Sequence, residues 1–293
     1  MKRLSLLIAS MSLVMMLFAQ TTKKEFNVSG YESLSAGGVF SIELIKSSKE
    51  GVTIETENKD IMEYIKVSVS NNTLHLSMNW KDMPSSIQKK MKPVKAVVYI
   101  NELKSINLSG ALRLNSTSIF NPAQFDAKIS GAVNINGLEI NTESAKINIS
   151  GASSLVLKGK MGKITYIISG ASKLTLDQEI GSLIVDGSGA AKIDFTGSFN
   201  TALLSFAGAV NSKIRGKGAD EVLLEVSGAS NFNAVDFPVK DMSLKLSGVS
   251  AATIFVTSTL KAEASGGSKI RYKGNPEIKI LDISSISTFQ KIN

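Results

Sequence analysis

The sequence predicts an all-β fold: a single-stranded, right-handed parallel β-helix (solenoid) of about nine coils of ~20 residues, opened by an irregular β cap. Three observations predict it. A Ser-Gly-Ala triplet recurs on a near-constant beat, apolar residues alternate on both sides of each triplet, and proline, at 5 residues against 23 glycines, is too scarce to interrupt long ladders.

The triplet occurs as Ser109-Gly110-Ala111, Ser130-Gly131-Ala132, Ser150-Gly151-Ala152, Ser169-Gly170-Ala171, Ser188-Gly189-Ala190 and Ser227-Gly228-Ala229. Ala207-Gly208-Ala209, Ser247-Gly248-Val249 and Ser265-Gly266-Gly267 fall in step with these. Successive glycines lie 21, 20, 19, 19, 19, 20, 20 and 18 residues apart. A unit that short buries too little apolar surface to fold alone, so it must stack on its neighbours.

Before the corners stand pairs such as Ile147 and Ile149, Tyr166 and Ile168, or Leu244 and Leu246; after them stand Leu155 and Leu157, Leu174 and Leu176, or Ile193 and Phe195. Polar residues such as Asn148, Lys173, Thr175, Lys192 and Lys245 separate them, which is the period of a strand with one buried face. Stacked in register, such strands pair at ~4.8 Å and like residues form ladders along the axis. The nine glycines then form one column where a Cβ would resist the turn. The serine before each glycine is expected to cap the corner, and the alanine after it to fill a narrow column. Ser153, Ser172, Asn231 and Ser268, just past the corners, are read as outward. The right hand follows from the ~98% preference of parallel crossovers. A leucine-rich repeat shares the period, but its asparagine ladder and leucine consensus are missing, and a β-sandwich requires no constant beat.

In chain order, residues 1–19 read as a signal peptide: Lys2 and Arg3 precede an apolar run from Leu4 to Phe18, and Ala19 offers a small residue for cleavage. That run is shorter than the ~20 residues of a membrane span. Residues 20–105 read as an N-terminal β cap and first irregular coils, with one short helical turn after Asn58 or Asp60. Residues 106–275 carry the repeats. Asn275-Pro276 interrupts the ladder, and residues 276–293 form a C-terminal cap that closes the last coil.

Composition narrows the chemistry. There is no cysteine, which excludes disulfides, thiolate catalysis and a lipid-bearing cysteine. The one histidine, His75, alternates with Leu74 and Leu76 and so faces outward; with no cysteine beside it, the usual zinc sites have no ligands. Outward carboxylates such as Asp177, Asp186, Asp194, Glu221 and Asp236 fall at differing offsets from the glycines, unlike the clustered acids of β-helical polysaccharide lyases and hydrolases. No catalytic, cofactor-binding or metal-binding residue is therefore assigned. Removing the first 19 residues leaves 31 Lys and Arg against 25 Asp and Glu, a mildly basic chain without any nucleic-acid-reading motif. The most distinctive surface candidate is the stretch with Trp80, Lys81, Lys89, Lys90, Lys92 and Lys95, a basic loop beside an aromatic.

Several phrases of the chain resemble a known family. The opening Val39-Phe40-Ser41-Ile42-Glu43-Leu44, the phrase Leu103-Lys104-Ser105-Ile106-Asn107-Leu108-Ser109-Gly110 and the closing Tyr272-Lys273-Gly274-Asn275-Pro276, set around the Ser-Gly-Ala beat, resemble a Bacteroidetes family of unknown function labelled autotransporter adhesin, head GIN domain. The resemblance implies a right-handed β-helix and a cell-envelope setting: periplasm, outer-membrane surface or extracellular medium. It brings no catalytic residues, and the chain lacks the C-terminal barrel strands of a true autotransporter. The expected role is a non-enzymatic binding surface for a glycan or an envelope protein. A structural or sensory envelope module is the second reading, and a carbohydrate-active enzyme the third.

Overall fold

The computed structural model describes residues 21–293, so the signal peptide expected at 1–19 lies outside the described residues. The chain winds into a β-solenoid of about 10 turns, with one mostly parallel sheet running through it. From the N-terminus the strands are β1 (Thr22–Phe26), β2 (Ser33–Lys46), β3 (Gly51–Thr56), β4 (Ile65–Ser70), β5 (Thr73–Met78), β6 (Val94–Ile100), β7 (Ser105–Ser116), β8 (Ile119–Phe120), β9 (Gln124–Ile129), β10 (Ala132–Ile140) and β11 (Thr142–Ile149). Six long strands follow, each spanning most of a coil between corners: β12 (Ser154–Ile168), β13 (Lys173–Gly187), β14 (Lys192–Phe206), β15 (Asn211–Val226), β16 (Asn231–Leu246) and β17 (Ala251–Ala264). The chain closes with β18 (Lys269–Lys273), β19 (Glu277–Ile283) and β20 (Thr288–Lys291).

Consecutive corners sit directly on one another. The Ala171 N–H donates to the Gly151 carbonyl and the Ala190 N–H to the Gly170 carbonyl, both at 2.9 Å. The flanking strands pair residue for residue, from Leu155 with Leu174 to Ile168 with Gly187. At Gly170 φ is +79°, and a Cβ there would stand 2.5 Å from the Gly151 carbonyl oxygen. Both the left-handed backbone and the close approach of the rung below therefore demand glycine.

The alanine position behaves differently from expectation. Ala111, Ala132, Ala152, Ala171 and Ala190 fill no internal column; they are exposed, and Val249 at the same position is 76% exposed. The left-handed glycine turns the chain so that the next residue faces solvent and the one after it faces the core. Ser153, Ser172 and Ser268, read as outward, are consequently buried, while Asn231 is exposed as expected. These buried serines are the real caps: Ser172 Oγ donates to the Ser169 carbonyl at 3.2 Å and Ser268 Oγ to the Ser265 carbonyl at 2.6 Å. The serine before the glycine reaches only the rung below, as Ser169 Oγ does to the Ile149 carbonyl at 3.4 Å.

Inside, like residues stack into apolar ladders, and size is balanced between rungs. Gly187 leaves a gap at its ladder position, and Phe206 on the next rung fills it, its ring carbon 3.0 Å from where a Gly187 Cβ would lie. Phe199 packs against Phe195 and Phe237 with ring centroids 5.5 and 4.8 Å apart. One polar pair interrupts this core. The fully buried Tyr166 hydroxyl donates to Gln178 Oε1 at 2.9 Å, which satisfies both groups, and burial pushes the phenol's pKa upward.

The N-terminal region joins the solenoid in an order the repeat does not reveal. β2 pairs with β7 over twelve residues, with Gly38 opposite Gly110. Gly38 is thus a tenth member of the glycine column, outside the beat because the chain detours between the two rungs. In that detour β5 and β6 lie parallel on the far side of β2. β4 then covers β5, β3 covers β6 and β1 covers β3, all antiparallel, and these strands turn the solenoid's first edge into a cap. Tyr31, fully buried, pins this cap: its hydroxyl donates to the Tyr99 carbonyl at 2.6 Å and accepts from the Gly51 N–H at 3.1 Å. The short turn expected near Asn58 is a 3₁₀ helix over Lys59–Tyr64, with Asn58 Oδ1 accepting from the Asp60 N–H. At the other end closure is partial. β20 covers β18, whereas β19 pairs only with β17 among the described residues, and Ile278, Leu281 and Ile286 are exposed.

Two substitutions separate the column from the surface. Gly170→Val is expected to cost at least about 3 kcal/mol in chemical unfolding, whereas Lys173→Ala, on the same corner, stays within about 0.5 kcal/mol. Equal small losses would count against rung-on-rung contact at the corner. Tyr166→Phe strips Gln178 Oε1 of its donor in a dry core and is expected to cost about 1–3 kcal/mol by the same measurement.

Candidate binding surface

Midway along β12, β14 and β15 a glycine takes the left-handed φ, and this second bend generates a groove. Gly159, Gly197 and Gly216 occupy it on three coils, each eight residues after a corner glycine, and Gln178 takes the equivalent place on β13 with its side chain turned inward to Tyr166. At Gly197 φ is +136°, and a Cβ would overlap the Gln178 carbonyl oxygen at 1.9 Å. The surface along this bend is consequently bare backbone, with side chains rising only on its two sides.

One wall is a ladder of paired positions, Glu139, Lys158, Asp177, Thr196, Arg215 and Asp236, on successive rungs. The other carries Asn141, Lys160, Glu179 and Lys217. From Glu139 to Thr196 on the first wall and Asn141 to Lys217 on the second, they border an open groove of ≈ 700 Å³ between β10 and β15. One carboxylate is clamped at its centre. Glu179 lies between Lys160 at 3.1 Å and Lys217 at 3.0 Å, the latter reaching across the intervening coil. Hydrogen bonds from Lys217 and then Lys160 hold the Glu179 carboxyl below the usual glutamate range. Lys158, Lys160 and Lys217 face Glu139, Asp177 and Glu179, so the lining is rich in donors and acceptors with its charges in balance.

The residues singled out from sequence lie elsewhere, at the capped end. Trp80 is 39% exposed and follows β5, in a loop whose short helix, Ser85–Gln88, is held by Gln88 Nε2 donating to the Trp80 and Met83 carbonyls. Lys92 pairs with Glu57 at 2.7 Å and Lys95 with Glu55 at 3.1 Å, which neutralises two of the five lysines. Lys81, Lys89 and Lys90 are exposed and form no ion pair among the described residues. Met83 is buried beneath the loop. His75 stands outward, its Nε2 3.0 Å from Ser70 Oγ. Among the described residues no group of three or more His, Asp or Glu could hold a metal ion, and no helix is long and apolar enough to cross a membrane. The groove escaped sequence reading. Its signal was present in the second glycine, offset by eight from Gly151, Gly189 and Gly208, but Gln178 breaks the series.

The Glu179 clamp is testable by titration. Because its folded pKa is depressed, the clamp's contribution is complete above the ordinary glutamate range and is lost as pH falls through the lower folded value. Carboxylate NMR should place the Glu179 midpoint below that of an ordinary glutamate, and Lys217→Ala should move it back up. An unshifted midpoint in the unaltered protein would contradict the clamp.

Comparison with known proteins gives the fold relatives. A crystal structure of a "putative adhesin" from Parabacteroides merdae superposes with a TM-score of 0.51 at 17% identity, covering 94% of this chain and 97% of that one. A second "putative adhesin", from Parabacteroides distasonis, matches with a TM-score of 0.45 at 16% identity over 93% and 97%. A "putative lipid binding protein" from the same species matches with a TM-score of 0.40 at 17% identity over 93% and 97%. No curated protein matches the chain. A family model described as "Putative auto-transporter adhesin, head GIN domain" matches residues 30–198 and 175–276, which takes in both the glycine column and the groove, and the chain belongs to that family.

Proposed function

We propose that this chain is an exported, non-enzymatic binding protein of the cell envelope, and that its groove receives an extended, hydroxyl-rich chain such as a surface glycan. The observation that carries the reading is the groove itself, a backbone-floored channel running along the solenoid axis. Its wall positions repeat at the ~4.8 Å rung spacing, so a polar side chain, donor or acceptor, stands beside the path of a linear ligand on every rung. Because the lining sets three lysines against three carboxylates, a neutral polyol meets a groove without net charge and finds both donors and acceptors there. Family membership supports attachment to surface molecules, and the leader-like residues 1–19 support export. A structural or sensory envelope module is the second reading. It is favoured by the absence of an exposed aromatic from the groove lining, where sugar rings commonly stack.

A glycan array probed with the mature chain tests this directly. Binding to at least one linear glycan is expected, and Lys158→Ala combined with Lys217→Ala should weaken it about tenfold or more, the equivalent of 1.4 kcal/mol, with an unchanged melting temperature. No bound glycan, or binding indifferent to the double substitution, would overturn the assignment of the groove. Mass analysis of the exported protein should find its N-terminus at Gln20; a retained Met1 would overturn the leader.

A further inference from the structure

On the outer face of the long strands, one ladder departs from the polar rule. Ile184, Leu203 and Leu223 are paired partners on β13, β14 and β15, so their side chains stand in line on three adjacent rungs. Leu203 is 42% and Leu223 41% exposed, and Ile167 beside them is 37% exposed. Lys146 and Thr165 precede this segment in the ladder, and Ser243 and Lys261 separate it from the exposed Ile280 at the last rung. A contiguous outward aliphatic row marks a contact surface more often than chance exposure does.

The row's rim says what kind of partner it suits. Glu221 and Asp241 run along one side, Asp186 and Glu225 along the other, all exposed and none in an ion pair among the described residues. Of the neighbouring lysines, Lys240 binds Asp220 at 2.5 Å and Lys245 binds Glu263 at 3.4 Å, while Lys261 lies near Glu221 and Asp241 without an ion pair among the described residues. In a chain of positive net charge this is a local acidic frame around an apolar strip. The capped end of the same chain presents its complement, an exposed Trp80 among Lys81, Lys89 and Lys90, whose charges are unmatched among the described residues. An exposed tryptophan in a lysine-rich loop has the composition of an interface anchor. Loop and row cannot meet within one molecule, because at least four rungs, or about 20 Å, separate them along the axis.

We propose that this chain associates with itself, the Trp80 loop of one copy docking on the acid-framed Ile184–Leu203–Leu223 row of another. The contact joins two different surfaces, so it closes as a twofold pair where each copy's loop meets the other's row, and builds rings or open arrays where it does not. It is independent of any ligand in the groove.

Trp80 is the only tryptophan of the chain and reports on its own burial. As concentration rises, its emission should shift to the blue in parallel with a rising sedimentation coefficient, and added salt should reverse both, since exposed charges are screened. Lys89→Glu with Lys90→Glu should weaken association at least tenfold, as should Glu221→Lys with Asp241→Lys. The variant carrying all four reversals should regain it, because loop and rim are again opposite in sign. Leu203→Lys should weaken it as well, and unchanged melting temperatures confirm that these surface variants fold. A chain that stays monomeric at every concentration would overturn the proposal. So would association indifferent to both reversals, a quadruple variant that does not recover, or a blue shift produced only by anionic phospholipid vesicles.

Discussion

The close contact between glycines on adjacent rungs is the constraint on which the rest of this molecule depends. A parallel solenoid must return its chain to the same point every turn, and each return brings one backbone corner against another. At Gly170 that contact leaves no room for a Cβ beside the Gly151 carbonyl, and the left-handed φ would strain any other residue. Once the corner is fixed, strand register follows on both sides of it. A slip of one residue would turn every inward side chain out, and the corner prevents it.

Register in turn makes the core one-dimensional. Each buried side chain meets its counterpart above and below, so an oversized residue on one rung needs an undersized neighbour, as Phe206 has in Gly187. The same geometry admits the Tyr166–Gln178 pair, where a polar residue replaces glycine at the second bend and is satisfied by an aromatic hydroxyl in the interior. The serines two residues beyond the corner glycines cap the corner's carbonyls and remove the remaining unpaired groups. With no disulfide, this shared burden of backbone ladders, apolar columns and serine caps holds the chain together.

The outward surface inherits the regularity of the interior. Residues one coil apart become neighbours about 4.8 Å away, so a linear pattern spaced by twenty residues turns into a continuous stripe. The charged groove walls and the aliphatic row with its acidic frame are both such stripes. Neither could be assembled from residues close in sequence. The two ends differ for the same reason: the N-terminal edge is closed by antiparallel strands that cannot propagate the ladder, whereas β19 still offers its backbone to solvent.

The amino-acid sequence by itself determined the repeat, its length, the glycine column from Gly110 to Gly266 and the alternation that builds the core. These are properties of single residues at a fixed beat: a missing Cβ and a period of two. The alanines after the glycines face solvent, and Ser153, Ser172 and Ser268 face the core, because a left-handed corner resets which face the chain presents, and that reset is a three-dimensional fact. Gly38 belongs to the column although 72 residues separate it from Gly110, since the chain detours through the cap between the two rungs. The groove behind Gly159, Gly197 and Gly216 and the partners of Lys92, Lys95 and Glu179 were likewise decided only by tertiary structure. Charge pairing depends on which coils are stacked and how far a side chain reaches across them, and no local pattern encodes that distance.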